Sequence, residues 1–200
     1  MHTTQLRRAT AGTVTALLAA ITLAACSSDE ASSGADHNEA DVAFASDMIV
    51  HHAQALDMAQ MVDGKEVSSE VEELAAEIEA AQAPEIEQMS GWLEQWGEDV
   101  PDPAAMDHSG MDMGSGDMGM DMEMPGMMTA EDMAALETAE GAQFEQLWLS
   151  MMVEHHQGAI EMAETEQDQG EFDPAVDLAG EIADAQAEEI ERMQALLEQL

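Results

Sequence analysis

Four histidines in two adjacent pairs, each pair set between methionines, are the residues of this sequence best suited to chemistry. His51 and His52 have Met48 before them and Met58 after; His155 and His156 have Met152 and Met162 at the same distances. Imidazole suits copper, zinc, iron and nickel, and a thioether beside it favours Cu(I). A second concentration of sulfur lies between the pairs. Met106, Met111, Met113, Met118, Met120, Met122, Met124, Met127 and Met128 alternate with Asp and Gly, with His108 near the start. Methionine normally fills irregular gaps in a core, but this segment holds too much Gly and Asp to be core. Solvating linkers are rich in Ser, Gly, Pro and Glu rather than Met. Two chemistries remain for it: thioether capture of Cu(I) or Ag(I), and sacrificial oxidation of methionine to sulfoxide.

The elements that position these groups are read from a repeat. Residues 47–96 align without insertion on residues 151–200 at an offset of 104, with 20 identities in 50. That is too many for chance, so one segment has been duplicated. In the first copy a helix is expected from about Asp41 to Val62. At about 100° per residue, Phe44, Met48, His51, His52, Ala55, Met58, Ala59 and Val62 share one arc, while Asp47, Gln54, Asp57 and Gln60 lie outside it or at its edge. The histidines of this amphipathic helix therefore face inward. Ser69-x-x-Glu72 reads as a capping box opening a second helix to about Trp96. That helix carries Val71, Leu74, Ile78, Ala81, Met89, Leu93 and Trp96 inward together with Gln82 and Glu85, and Pro84 is expected to bend it. In the second copy, Thr129-x-x-Asp132 caps a helix running through His155 and His156 to about Gln167. Asp173-Pro174 then opens a last helix as N-cap and first helical residue, bearing Leu178, Ile182, Gln186, Glu189, Met193 and Leu197.

No strand pattern occurs. The expected fold is all-α, an antiparallel four-helix bundle made of two duplicated helical hairpins, residues 41–99 and 129–200, joined by the Met/Asp/Gly-rich loop 100–128. Neither hairpin alone buries enough apolar surface for a stable core, so the two should pack about a pseudo-twofold axis. That brings His51, His52, His155, His156, Glu85, Glu189, Gln82, Gln186, Met48 and Met152 to the centre. Each buried polar group left unpaired costs about 1–3 kcal/mol, so something must satisfy them: a His–Glu–Gln hydrogen-bond network, or a metal. Ala55, Ala59, Ala159 and Ala163 beside the histidines would leave room for an ion or simply allow close packing.

The first residues bear on location. Arg7 and Arg8 precede an uncharged run from Ala9 to Ala25, followed by Cys26. This reads as a signal peptide over residues 1–25. Leu23-Ala24-Ala25-Cys26 resembles a bacterial lipobox, which would leave Cys26 as a lipidated first residue on a flexible tether, residues 26–40. The expected place is outside the cell, lipid-anchored on the outer face of the cell membrane. Cys26 is the only cysteine, which excludes an intrachain disulfide or a thiolate metal site. Loss of residues 1–25 leaves Lys65 and Arg192 as the only basic residues against 44 acids. Such a surface repels nucleic acid and gathers cations.

The two Met-x-x-His-His-x-x-Ala-x-x-Met-Ala-like segments, Met48 to Ala59 and Met152 to Ala163, resemble the exported domain-of-unknown-function 305 family over roughly residues 41–200. The resemblance implies a ferritin-like helical bundle, and copper binding or copper resistance for some members, among them a periplasmic copper-binding protein. The Met-Asp-His-Ser-Gly-Met run also resembles Met/His-rich segments of exported copper-resistance proteins. The expected function is a metal-binding lipoprotein that binds or sequesters copper, preferably Cu(I) with other transition metals possible, in exchange with a copper-trafficking partner. The candidate ligands are the methionines and histidines named above with Glu85 and Glu189. The alternative is a structural or adaptor lipoprotein with a buried His–Glu–Gln network and an oxidant-scavenging loop. A ferritin-like di-metal oxidase requires Glu-x-x-His; Met48, Ile49, Met152 and Val153 stand at the Glu positions, so no enzymatic activity is expected. Imidazole must be neutral to ligate, so affinity at the bundle centre should fall below about pH 6.5.

Overall fold

The computed structural model describes residues 36–102 and 124–200. Among these are five helices: α1 Glu39–Gln60, α2 Ser69–Trp96, α3 Ala130–Thr138, α4 Gly141–Gln169 and α5 Asp173–Leu197. α1 packs on α2, α4 on α5, and α1 on α4, which is the expected bundle of two hairpins.

The helix starts follow local chemistry, with two shifts. Asn38 caps α1 in a capping box with Asp41, and Thr129 does the same for α3 with Asp132, satisfying first-turn N–H groups that lack a helical partner. At α2 the cap is Ser68, not Ser69, and its side chain makes no capping bond within the helix. At α5 the N-cap is Phe172, which puts Asp173 and Pro174 in the first turn. Pro84 lies inside a continuous α2.

The helix expected from residue 129 to about 167 is two. The chain is extended at Ala139 and Glu140 and restarts at Gly141 with φ +54°, a left-handed value that glycine adopts without a Cβ clash. Lys65, from the α1–α2 turn, accounts for the break. Its ammonium donates to the carbonyls of Glu137 and Ala139 at 2.8 Å each and pairs with the Glu140 carboxylate at 3.1 Å. One of the two basic residues of the bundle is thus spent on the α3 C-terminus, where a cation also meets the negative end of the helix dipole.

The apolar core forms two clusters. One holds Ala55, Met58, Leu74 and Ile78 of the first copy with Phe144, Trp148, Met152 and Met193 of the second. The other holds Phe44, Met48, Met89 and Leu93 with Ala159, Ala163, Leu178 and Ile182. Met48 therefore shares a cluster with the alanines of the second copy, and Met152 with the equivalent alanines of the first, the exchange a pseudo-twofold axis requires. The small residues beside the histidines receive a methionine from the opposite copy.

The same exchange appears in the polar contacts between hairpins. Asp41 of α1, fully buried, accepts from the backbone N–H of Glu171 at 3.1 Å and Phe172 at 2.9 Å. It thereby caps the start of α5. Its counterpart at the 104-residue offset, Glu145 of α4, accepts from the backbone N–H and hydroxyl of Ser68 and caps the start of α2. Each hairpin closes the turn of the other.

Candidate metal centre

α1 and α4 meet at their histidines. The rings of His51 and His155 lie 3.8 Å apart between centroids, inclined by 40°, and all four histidines are completely buried. His52 Nε2 is 2.7 Å from Glu85 Oε2, and His156 Nε2 is 2.7 Å from Glu189 Oε2. These two contacts are copies of each other. The carboxylates come from α2 and α5 at the rim, with 21 % and 18 % of their side chains exposed. With a carboxylate as acceptor, Nε2 is the donor and Nδ1 faces away from the carboxylate.

His51 is fixed differently. Its Nε2 is 3.0 Å from the carbonyl oxygen of Pro125, an acceptor that can only receive, so this imidazole presents Nδ1 as a lone pair. Nδ1 of His51, His52 and His156 has no hydrogen-bond partner among the described residues, and the His155 ring meets only the backbone of His51. Burial is the main reason the His51 ring resists protonation, with His52 adding to it, and its pKa is lowered to about 3. Burial and then the neighbouring histidines hold His155 well below its ordinary value. These two rings are neutral across the physiological range and need lose no proton to accept a cation, so the proton competition expected to begin near pH 6.5 is displaced to far lower pH at His51.

Pro125 belongs to the end of the Met-rich segment, and residues 124–128 form a strap across α1 and α4. The Gln54 amide donates to the carbonyl of Met128 at 2.9 Å and accepts from its N–H at 2.7 Å. Gly158 lies against Pro125 and Gly126 so closely that a Cβ there would overlap the strap backbone. Gln54, placed by periodicity outside the inward arc of α1 or at its edge, is 2 % exposed because the strap covers it.

The structure brings together some of the candidate ligands and separates others. His51, His52, His155 and His156 form one buried layer flanked by Glu85 and Glu189. Met48 and Met152 are buried in opposite apolar clusters, Met58 in that of Met152. Met162 is half-buried and lines a cleft between α1 and α4. Met124 and Met127 are half-buried on the strap, and Met128 is buried beneath it. Met106, His108, Met111, Met113, Met118, Met120, Met122 and Cys26 lie outside the described residues. Gln82 and Gln186 are buried, yet both amide atoms of Gln82 and the Gln186 oxygen lack partners, so the expected His–Glu–Gln network stops at His–Glu. Among the described residues no three side chains of His, Cys, Asp or Glu converge on one coordination point.

Three buried carboxyl groups, Asp41, Glu145 and Glu166, escaped the sequence reading. Asp41 is held below the usual carboxylate range: burial would raise it, but hydrogen bonds from the N–H groups of Asn38 and Phe172, the Glu166 carboxyl and the N–H of Glu171 outweigh that. Glu166 of α4 is 1 % exposed, and its carboxyl shares a side-chain hydrogen bond with that of Asp41. Burial pushes its pKa up to about 8, with the neighbouring Asp41 carboxyl adding to the rise. The acid at position 41 and its counterpart at 145 could have been noticed in the repeat; Glu166 stands opposite Val62 and left no such signal.

Two hairpins related by duplication and closed around a buried imidazole layer define an all-α bundle protein with neutral rings, His51 and His155, at its centre. The chain belongs to the family described as Domain of unknown function (DUF305), whose model matches residues 41–197. Among solved structures it is similar to a DUF305 protein from Streptomyces coelicolor, at 34 % identity and TM-score 0.68, covering 80 % of this chain and 93 % of that one. It is similar also to a DUF305 fragment from Deinococcus radiodurans, at 30 % identity and TM-score 0.67, covering 82 % and 98 %. A third is CopM in its Cu(II)-bound form, at 28 % identity and TM-score 0.63, covering 80 % and 96 %; CopM is also known in Cu(I)-bound and Ag-bound forms. No curated protein matches the chain.

Proposed function

We propose that this protein is an exported, lipid-anchored copper-binding protein that captures Cu(I) on the thioethers of its Met-rich segment and holds it at the imidazole layer, for copper tolerance or handling. The observation that carries the reading is the strap: Gln54 and Gly158 fasten the end of a segment with nine methionines over His51 and His155. Three further points support it. Lone pairs on buried imidazoles without protein donors are costly unless a cation uses them. A carboxylate or carbonyl behind a histidine is the arrangement that orients an imidazole toward a metal. CopM, with the same fold, binds copper and silver. Cu(I) is satisfied by few soft donors, so the lack of a three-residue cluster is compatible with it. The role is binding rather than catalysis, with exchange to a partner protein through the methionines of the Met-rich segment.

The adaptor reading draws on one specific observation, the His52–Glu85 and His156–Glu189 contacts, which tie α1 to α2 and α4 to α5 without any metal. An anaerobic titration against a chromophoric Cu(I) chelator separates the two. Deletion of residues 106–122, which keeps the strap, should remove part of the copper bound, and His51→Ala with His155→Ala should remove another part. Copper uptake unchanged in both variants eliminates the proposal.

A further inference from the structure

The turns inside the two hairpins are closed at equivalent positions, but one closure carries an extra carboxyl. Phe172 and Ser68, the N-caps of α5 and α2, stand 104 residues apart. Asp41 holds the N–H of Phe172, and Glu145 holds that of Ser68. Beside Asp41 lies Glu166, 1 % exposed, whose carboxyl shares a hydrogen bond with the Asp41 carboxylate. A Cβ at Gly170 would overlap that carboxyl, so Glu166 is packed directly beneath the α4–α5 turn. The position equivalent to Glu166 in the first copy is Val62, buried and apolar. It brings no second acid to the Glu145 closure. Phe172 is also the seat of an aromatic cluster. Trp92 and Trp96 of α2 meet its ring in T-shaped contacts at 5.5 and 5.2 Å, and His37 stacks on Trp96 at 4.4 Å.

We propose that Asp41 and Glu166 form a proton-dependent latch: one shared proton ties the start of α1 and the last turn of α4 to the α4–α5 turn, and its loss loosens this end of the bundle while the Glu145 end stays closed. Two adjacent buried carboxyl groups resist ionising together. Asp41 is the one kept charged, because the N–H groups of Asn38, Glu171 and Phe172 favour its anion. Glu166 is therefore the proton carrier. In the closed latch it keeps its proton to about pH 8, whereas a turn open to water returns it toward the ordinary 4.5. Opening should thus become about tenfold easier per pH unit between those values and level off above them. The other charged groups around this corner are Glu39 and Asp47 of α1, Glu98 of α2, Glu161 of α4, and Glu171 and Asp173 of the turn and α5, all exposed, with the half-buried His37. No lysine or arginine lines the cleft beside Glu166. The latch goes beyond the copper reading and stands without it.

The test is native-state amide exchange on the full chain, comparing the Phe172 and Ser68 N–H groups between about pH 5 and 7.5. Base catalysis and global unfolding act on both amides, so the ratio of their opening constants isolates the latch. That ratio should rise more than about tenfold across the range in wild type, and less than that in Glu166→Gln, which keeps a hydrogen-bond donor without a titrating proton. His37→Phe should leave the wild-type rise in place. A wild-type rise below the tenfold mark, a rise above it in Glu166→Gln, or one brought below it by His37→Phe overturns the proposal. Should Glu166→Gln not fold, the carboxyl carbon resonance of Glu166 in wild type decides. It and the Phe172 N–H shift should titrate with one midpoint near pH 8, and a Phe172 shift indifferent to that titration overturns the latch.

Discussion

Gln54 and Gly158 stand at equivalent positions of the two copies, 104 residues apart, and both act on one strap: Gln54 grips the Met128 peptide while Gly158 makes way for Pro125 and Gly126. A symmetric pair could not do this. Two glutamines would leave the strap no space on α4, and two glycines would leave it unheld on α1. The duplication has diverged at the point where a single connecting segment must cross a twofold arrangement.

Removing the grip should therefore cost stability. Gln54→Ala leaves a buried N–H and C=O of Met128 without partners, a loss of about 1–3 kcal/mol measurable by urea denaturation. Amide exchange at Met128 should quicken more than the global unfolding rate explains. Gly158→Ala should release the strap as well, because its Cβ cannot share space with Pro125. A Gly158→Ala protein with unchanged stability and unchanged Met128 exchange would show that the strap does not depend on this contact.

The reciprocal caps make a paired prediction. Asp41→Asn removes the charge at the start of α5, and Glu145→Gln does so at the start of α2. Each should destabilise by about 1 kcal/mol, the usual worth of a helix N-cap. The local signature should cross between copies: the α1 substitution should loosen the Glu171–Phe172 turn and the α4 substitution the Ser68 turn, read by amide exchange. Loosening on the substituted helix alone would contradict the exchange.

Much of this was legible in the sequence, and the division is physical. The repeat, the inward histidines and the carboxylates that meet them are periodic features; Glu85 and Glu189 follow His52 and His156 at the same separation, and one hairpin geometry predicts both contacts. What periodicity could not show depends on residues distant in sequence. Lys65 ends α3 from more than 70 residues away, and although Gly141 was a visible stop signal, its partner was not. Gln54 was placed outside the inward arc or at its edge because the strap that buries it comes from the intervening segment. Asp41 and Glu145 looked like ordinary helix acids, since the N–H groups they satisfy belong to the other hairpin.

Stability should peak in a mildly acidic window. The His51 pKa lies at about 3 in the folded protein against an ordinary value of 6.5, so the unfolded chain gains a proton first as pH falls; stability from this group declines from pH 6.5 toward 3. Glu166 behaves oppositely. Its folded value of about 8 against 4.5 means the folded state keeps a proton the unfolded chain has lost, so its contribution declines as pH rises from 4.5 toward 8. Thermal melts should show Tm highest between about pH 4.5 and 6.5, and Glu166→Gln should flatten the alkaline side while leaving the acid side unchanged. An alkaline limb that survives Glu166→Gln would assign it to other groups.

Copper held at the imidazole layer should be nearly indifferent to pH over the range in which exposed histidines protonate. An exposed imidazole with pKa near 6.5 loses about tenfold in apparent affinity for each unit below that value, because the proton competes for the lone pair. His51 avoids that competition until about pH 3, since burial has already excluded the charged ring. Thioethers have no proton to compete. Wild type and the 106–122 deletion should thus both change Cu(I) affinity less than tenfold between pH 7.5 and 5, once the chelator's own titration is subtracted. Replacing Pro125 and Gly126 by a longer flexible linker would let water reach His51, raise its pKa and restore the ordinary pH dependence in the deletion background. Affinity that falls steeply below pH 6.5 with the strap intact would mean that the copper is bound by exposed histidines, and that the buried layer serves only to hold the helices together.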